Sequence, residues 1–156
     1  MRLKLTSAGI TNGGIHGAFV DLLGKPVAES KAVCVPTAIY ALPGGNGYAW
    51  QVLRELGEMG WQEFVVLELT ALPSILEEHW LPAMEAADAI IVGGGNGGYL
   101  SYWMQESGLA RKLPELLEDK VYVSISAGSA MATPGLNYDR ERLERTGVYY
   151  GGSVER

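Results

Sequence analysis

The chain has a single cysteine, Cys34, so no internal disulfide can form. Cys34 lies in the apolar run Ala32-Val-Cys-Val35, where a thiol packs as a small hydrophobe. Histidine is nearly as scarce. Only His16 and His79 occur, and no ligand spacing connects them, so no metal site is expected. Charged residues make up only 19% of the chain, and the net charge of −6 leaves no basic stripe. That balance excludes a nucleic-acid partner, which needs clustered positive charge. No apolar run reaches the ~20 residues of a membrane span. The opening Met-Arg-Leu-Lys-Leu has no apolar signal segment, and the cytoplasm is the expected location. Repeats, low-complexity stretches and linkers are lacking too, so residues 1–156 read as one domain.

What the chain does have is apolar residues, 47% of its 156, and 21 glycines. The glycines gather where strands are expected to end. Strands are expected at Arg2–Ser7, Lys31–Val35, Phe64–Leu67, Ala89–Val92 and Val121–Ile125. Helices are expected near Ala18–Leu23, Tyr48–Met59, Tyr99–Glu106 and Leu109–Glu118. A further helical stretch runs from Pro73 to Ala87, with Pro82 breaking it. Strand and helix alternate, and the strands are continuous apolar runs. Both features indicate an α/β fold with a mostly parallel sheet covered on both faces, a three-layer sandwich. Ala89-Ile-Ile-Val92 is wholly apolar and is expected at its centre.

Sites in such sheets form at the carboxyl ends of the strands. Four glycine-rich or small-residue loops fall there: 9–17, 36–47, 93–98 and 126–129. The last follows Val121-Tyr-Val-Ser-Ile125 and reads Ser126-Ala-Gly-Ser129. Small residues stand two before and two after Ser126, at Ser124 and Gly128. A nucleophile elbow needs that spacing, because a strand-to-helix turn so tight brings its flanking positions against each other. The turn would lift the Ser126 hydroxyl off the sheet and leave the amide of Ala127 free to stabilise negative charge. An ordinary small-residue turn fits the same five residues.

The loop Gly93-Gly-Gly-Asn-Gly-Gly98 also has two readings. Bare amides before a helix can cradle a phosphate, as in a flavodoxin-like protein. Alternatively an amide near Gly94 or Gly95 is the second donor of an oxyanion hole, if the fourth and fifth strands are neighbours.

Taken together, Ile91-Val-Gly-Gly-Gly-Asn96 with Tyr99-Leu100, then Glu106-Ser-Gly-Leu109, then Ser124-Ile-Ser-Ala-Gly-Ser129 resemble the dipeptidase E family of serine peptidases (S51), relatives of cyanophycinase. Leu5-Thr-Ser-Ala8 and Val35-Pro-Thr-Ala38 resemble the first two strand ends of that family. The resemblance implies a fold like that of class I glutamine amidotransferases, with serine in place of the cysteine nucleophile. It implies Ser126 as nucleophile and the amides of Ala127 and Gly95 as the oxyanion hole. It also implies a small-peptide substrate with an N-terminal aspartate, cleaved without metal or organic cofactor.

Two departures stand out. The family's residue two before the nucleophile is usually glycine, and here it is Ser124. The family's catalytic histidine lies downstream of the serine with an acidic residue between them. Here Asp139 or Glu141 is the candidate acid, and no histidine follows Ser126. The expectation is therefore a C-terminally truncated domain, weak or inactive alone, whose open sheet edge favours a homodimer. His16 is at the site edge of the sheet, and His79 reads as a surface residue. Arg140, Arg142 and Arg145 alternate with acidic residues, either as a solvated face or as a carboxylate-binding group. The rival class is a non-catalytic small-ligand-binding domain.

Overall fold

The computed structural model describes residues 2–130. Its five strands are β1 (Arg2–Thr6), β2 (Lys31–Val35), β3 (Glu63–Val66), β4 (Ala89–Val92) and β5 (Val121–Ile125). They form one sheet in the order β1-β5-β4-β2-β3, and every pairing is parallel. The wholly buried β4 is the central strand, and its neighbour on one side is β5. The expected parallel α/β sheet is therefore the observed one.

Side chains alternate across the sheet into two cores. Val33, Val35, Ile90, Val92 and Tyr122 point to one face, and Ala32, Cys34, Ala89, Ile91, Val121 and Val123 to the other. The first face is covered by α4 (Leu81–Ala86), α5 (Gly97–Glu106) and α6 (Leu109–Leu116), through Met84, Leu100, Met104 and Leu109. The second is covered by α1 (Gly13–Leu23) and α3 (Gly45–Gly57), through Phe19, Leu23 and Leu56. Burial on both faces is what lets β2, β4 and β5 be so apolar, whereas the edge strands β1 and β3 are partly exposed and β1 alternates with Arg2 and Lys4, unlike the continuous apolar run expected. Cys34 sits inside the second core, and desolvation pushes its thiol up to about 12. It is an inert packing residue, as its apolar neighbours imply.

Helix starts differ from the sequence reading. The stretch from Gly9 to Gly17 reads as a loop, yet α1 begins at Gly13. Asn12 caps it, its Oδ1 accepting from the Ile15 N–H at 2.9 Å. Phe19 and Leu23 anchor the helix, which outweighs the glycines' poor propensity. The 36–47 loop contains a short helix, α2 (Thr37–Tyr40), and α3 starts at Gly45 rather than Tyr48. Only glycine fits there, since a Cβ on Gly45 would stand 1.9 Å from the Ile39 carbonyl oxygen. Between Leu69 and His79 the chain forms two 3₁₀ segments rather than a helix, and Pro82 helps start α4 instead of kinking it. Among the described residues no helix is long and apolar enough to cross a membrane.

At the amino ends of the strands, Asp88 ties three segments together. Its carboxylate accepts from the Lys31 N–H at 2.8 Å and pairs with Lys25 at 2.9 Å. Burial alone would raise this carboxyl, but the Lys31 amide and the Lys25 ammonium outweigh it and hold it below its ordinary value. A carboxylate so held stabilises the fold fully above the ordinary carboxylate range, and the contribution fades as pH falls through its lowered value. Asp88→Ala is expected to cost about 1–2 kcal/mol near neutral pH by denaturant melting. The gap from the parent chain should close toward acid.

Candidate active site

β5 ends at Ile125, and the chain turns at Ser126 into α7 (Ala127–Ala130). Ser126 has φ +48°, and it is the one non-glycine residue with positive φ among the described residues. The left-handed region costs an L-residue roughly 1–2 kcal/mol, so something must hold it there.

The holding groups come from both ends of the described chain. The Ser126 N–H donates to the Thr6 carbonyl at 2.8 Å, and the Ser126 carbonyl accepts from the Ser129 N–H at 2.9 Å. The Ser124 and Ser129 hydroxyls are 2.8 Å apart, and Ser129 Oγ also reaches the Thr6 carbonyl at 3.1 Å. Thr6 Oγ1 donates to the Ser124 carbonyl at 2.7 Å and accepts from the Gly9 N–H at 2.9 Å. From the first core, the Tyr122 hydroxyl donates to the Gly128 carbonyl at 2.8 Å. Burial raises the Tyr122 hydroxyl's pKa, so it stays a donor.

Ser124 is fully buried, and its hydroxyl bonds across the turn, an interaction the usual glycine could not make. Gly128 is required on the other flank. A Cβ there would stand 2.5 Å from the Val92 carbonyl oxygen.

The loop after β4 comes up against this turn. A Cβ on Gly94 would lie 3.1 Å from Ser126 Cβ and 3.2 Å from the Ile125 carbonyl oxygen. Gly95 has φ +139°, and its Cα faces α2, where a Cβ would stand 2.1 Å from the Ala38 carbonyl oxygen. Hydrogen bonds from Gly93 N–H to Val35 O and from Asn96 N–H to Ala38 O, both 2.9 Å, pin the loop on either side. Asn96 also caps α5, its Oδ1 accepting from the Tyr99 N–H at 2.9 Å. Between these anchors, the amides of Gly94 and Gly95 have no hydrogen-bond partner among the described residues. The Ala127 amide likewise has none. Ser126 is exposed, and its hydroxyl makes no hydrogen bond among the described residues. The turn thus presents a free hydroxyl on the strand next to a loop with two free amides.

The remaining candidates fall elsewhere. His16 is an exposed residue in the first turns of α1, with no hydrogen bond to Ser126. His79 is on the surface, 3.6 Å from Glu78. Asp139, Glu141, Arg140, Arg142 and Arg145 lie outside the described residues. No group of three metal-binding side chains occurs among the described residues. Sequence reading passes over Thr6, Tyr122 and Ser129. Only the repeated serines at 124, 126 and 129 hint at a hydroxyl network.

The sequence profile of peptidase family S51 matches residues 5–147. No curated protein is matched by the chain. Among solved structures, a Listeria monocytogenes EGD-e protein described as a candidate peptidase E superposes with a TM-score of 0.63 at 22% identity. A peptidase from an acI-B1 Actinobacterium superposes with a TM-score of 0.57 at 18% identity. The matches cover 87% and 81% of this chain, but only 63% and 54% of those two proteins. At such identities the likeness is one of fold.

Proposed function

Since the chain belongs to peptidase family S51, we propose that its strand-end site is built for serine-type acyl transfer on small peptides with an N-terminal aspartate. The observation that carries this reading is the conformation of Ser126. A serine held at φ +48° on a strand-to-helix turn needs six hydrogen bonds around it, and a surface turn has no use for such bracing. The contact of Gly94 with Ser126 favours pairing the glycine loop with the elbow over a separate phosphate cradle.

In the proposed reaction Ser126 Oγ attacks the carbonyl carbon, and the developing oxyanion takes hydrogen bonds from the Ala127 and Gly95 amides. A base removes the hydroxyl proton and returns it to the departing amine. Water then hydrolyses the acyl-serine by the same route in reverse. The acid orienting that base is Asp139 or Glu141. Among the described residues neither His16 nor His79 hydrogen-bonds Ser126, so neither stands as that base. A serine site without its full triad keeps about 10³–10⁴-fold acceleration over water, from binding and the oxyanion hole. The 156-residue chain is expected to work at that low level.

The test measures release of the second residue from Asp-Leu and of the amine from an aspartyl arylamide, with mass spectrometry for a fluorophosphonate adduct. Slow turnover and an adduct on Ser126, both lost in Ser126→Ala, are expected. Turnover that survives Ser126→Ala would remove the serine from the mechanism.

A further inference from the structure

A cavity of about 420 Å³ lies beside the elbow, between the β1–α1 loop, the start of α1 and α3. Ile125, the residue before Ser126, forms part of its wall. The volume is within the ~300–1,000 Å³ typical of small-molecule sites. Its apolar lining is Ala8, Ile10, Val52, Leu56, Met59 and Ile125. Its two ionisable groups are His16 and Glu55, both exposed and on opposite helices.

The cavity and the elbow share their bracing. Thr6 accepts from the Gly9 N–H, which holds the loop that walls the cavity. The same Thr6 accepts the Ser126 N–H. The cavity opens on the sheet face of the second core, between α1 and α3, and Ile125 continues there the side of β5 that carries Val121 and Val123. With Ile125 adjoining Ser126, a substrate whose carbonyl is at the serine has the cavity within reach of its neighbouring side chain.

We propose that this cavity is a specificity pocket for the side chain of the substrate's second residue, and that it selects an apolar one. The inference rests on the acyl-transfer reading above, which assigns an aspartate to the first position. An aspartate side chain suits the cavity less well than an apolar one, because most of the wall's side chains are apolar and the Glu55 carboxylate faces it across from His16. A leucine or phenylalanine side chain would displace water from that wall, the favourable exchange for apolar surface. Glycine would leave the wall wet.

Calorimetry on the Ser126→Ala chain tests this without turnover, using Asp-Gly, Asp-Ala, Asp-Leu and Asp-Phe. Asp-Leu is expected to bind at least about tenfold more tightly than Asp-Gly, since even one methylene in an apolar pocket is worth ~10–200-fold. Val52→Trp, which fills the cavity from α3, should erase that difference. Met59→Trp repeats this arm from the other end of the wall should Val52→Trp fail to fold. Equal affinities for the four peptides would overturn the pocket and leave the acyl-transfer reading standing. A preference that persists in the folded filled variants would also overturn it. If none of the four binds, the acyl-transfer reading falls and takes the pocket with it.

Discussion

Ser126→Gly is expected to abolish both the fluorophosphonate adduct and turnover while leaving the chain at least as stable as the parent. The two effects come from one conformation. At φ +48° any residue with a Cβ is strained, and glycine is not. Relief of roughly 1–2 kcal/mol is set against the ~0.5–1 kcal/mol of extra chain entropy that glycine loses on folding. The net change is between about zero and a gain of about 1.5 kcal/mol, read as an unchanged or higher denaturant midpoint. Ser126→Ala should lose the same reactivity without the gain, because alanine keeps the Cβ. The pair separates the hydroxyl from the backbone it sits on. A Ser126→Gly chain markedly less stable than Ser126→Ala would mean that the turn is not strained. Stability given up at one residue for reactivity is the usual pattern at functional sites.

Gly95→Ala carries the largest expected loss of stability. Its φ of +139° is closed to other residues, and the new methyl would overlap backbone atoms, 2.1 Å from the Ala38 oxygen and 2.3 Å from its carbon. Backbone cannot step aside as a flexible side chain can, so either α2 or the glycine loop must move. Strain and overlap together should cost about 3 kcal/mol or more, a drop of about 10 °C in melting temperature for a chain of this size. The loop's two free amides would move with it, so the fluorophosphonate reaction should fall in the fraction that still folds. Gly47→Ala is the control. Gly47 lies in α3, where an added methyl would meet nothing within 4 Å, and alanine there should be neutral or stabilising. Equal melting temperatures for the two variants would show that the loop is not clamped against α2.

The inner strands β2, β4 and β5 were legible because each is short, largely apolar and buried on both faces, so composition alone marks them. β2, β4 and β5 have the bounds that the apolar runs suggest. Helix starts were less legible. Glycine's weak propensity reads as loop at Gly13 and Gly45, while an Asn12 cap and a packing contact beneath Ile39 decide the matter from outside those residues. The tight strand-to-helix turn at Ser126 was legible from its spacing, because small flanking residues are a steric requirement visible in one dimension. Its bracing was not. The Thr6 to Ser124 bond joins residues 118 apart, and no local pattern encodes such a meeting. Ser124 illustrates the difference. In sequence it departs from glycine and is merely small enough, whereas in the fold its hydroxyl is half of a hydrogen-bonded pair with Ser129.

The pairing of β1 with β5 also bears on the order in which the molecule forms. Arg2 lies opposite Val121, so this edge closes the longest loop in the described chain. Contacts so distant in sequence are slow to form, because the entropy of the whole intervening segment must be lost first. β2, β3 and β4 pair over shorter spans and can assemble earlier. Thr6 then arrives late, and with it the bonds it makes across to the elbow. A partly folded chain therefore has a serine but no braced turn, and chemical reactivity at Ser126 becomes a reporter of the last stage of folding. In a refolding experiment the rate of probe capture should lag behind the recovery of secondary structure.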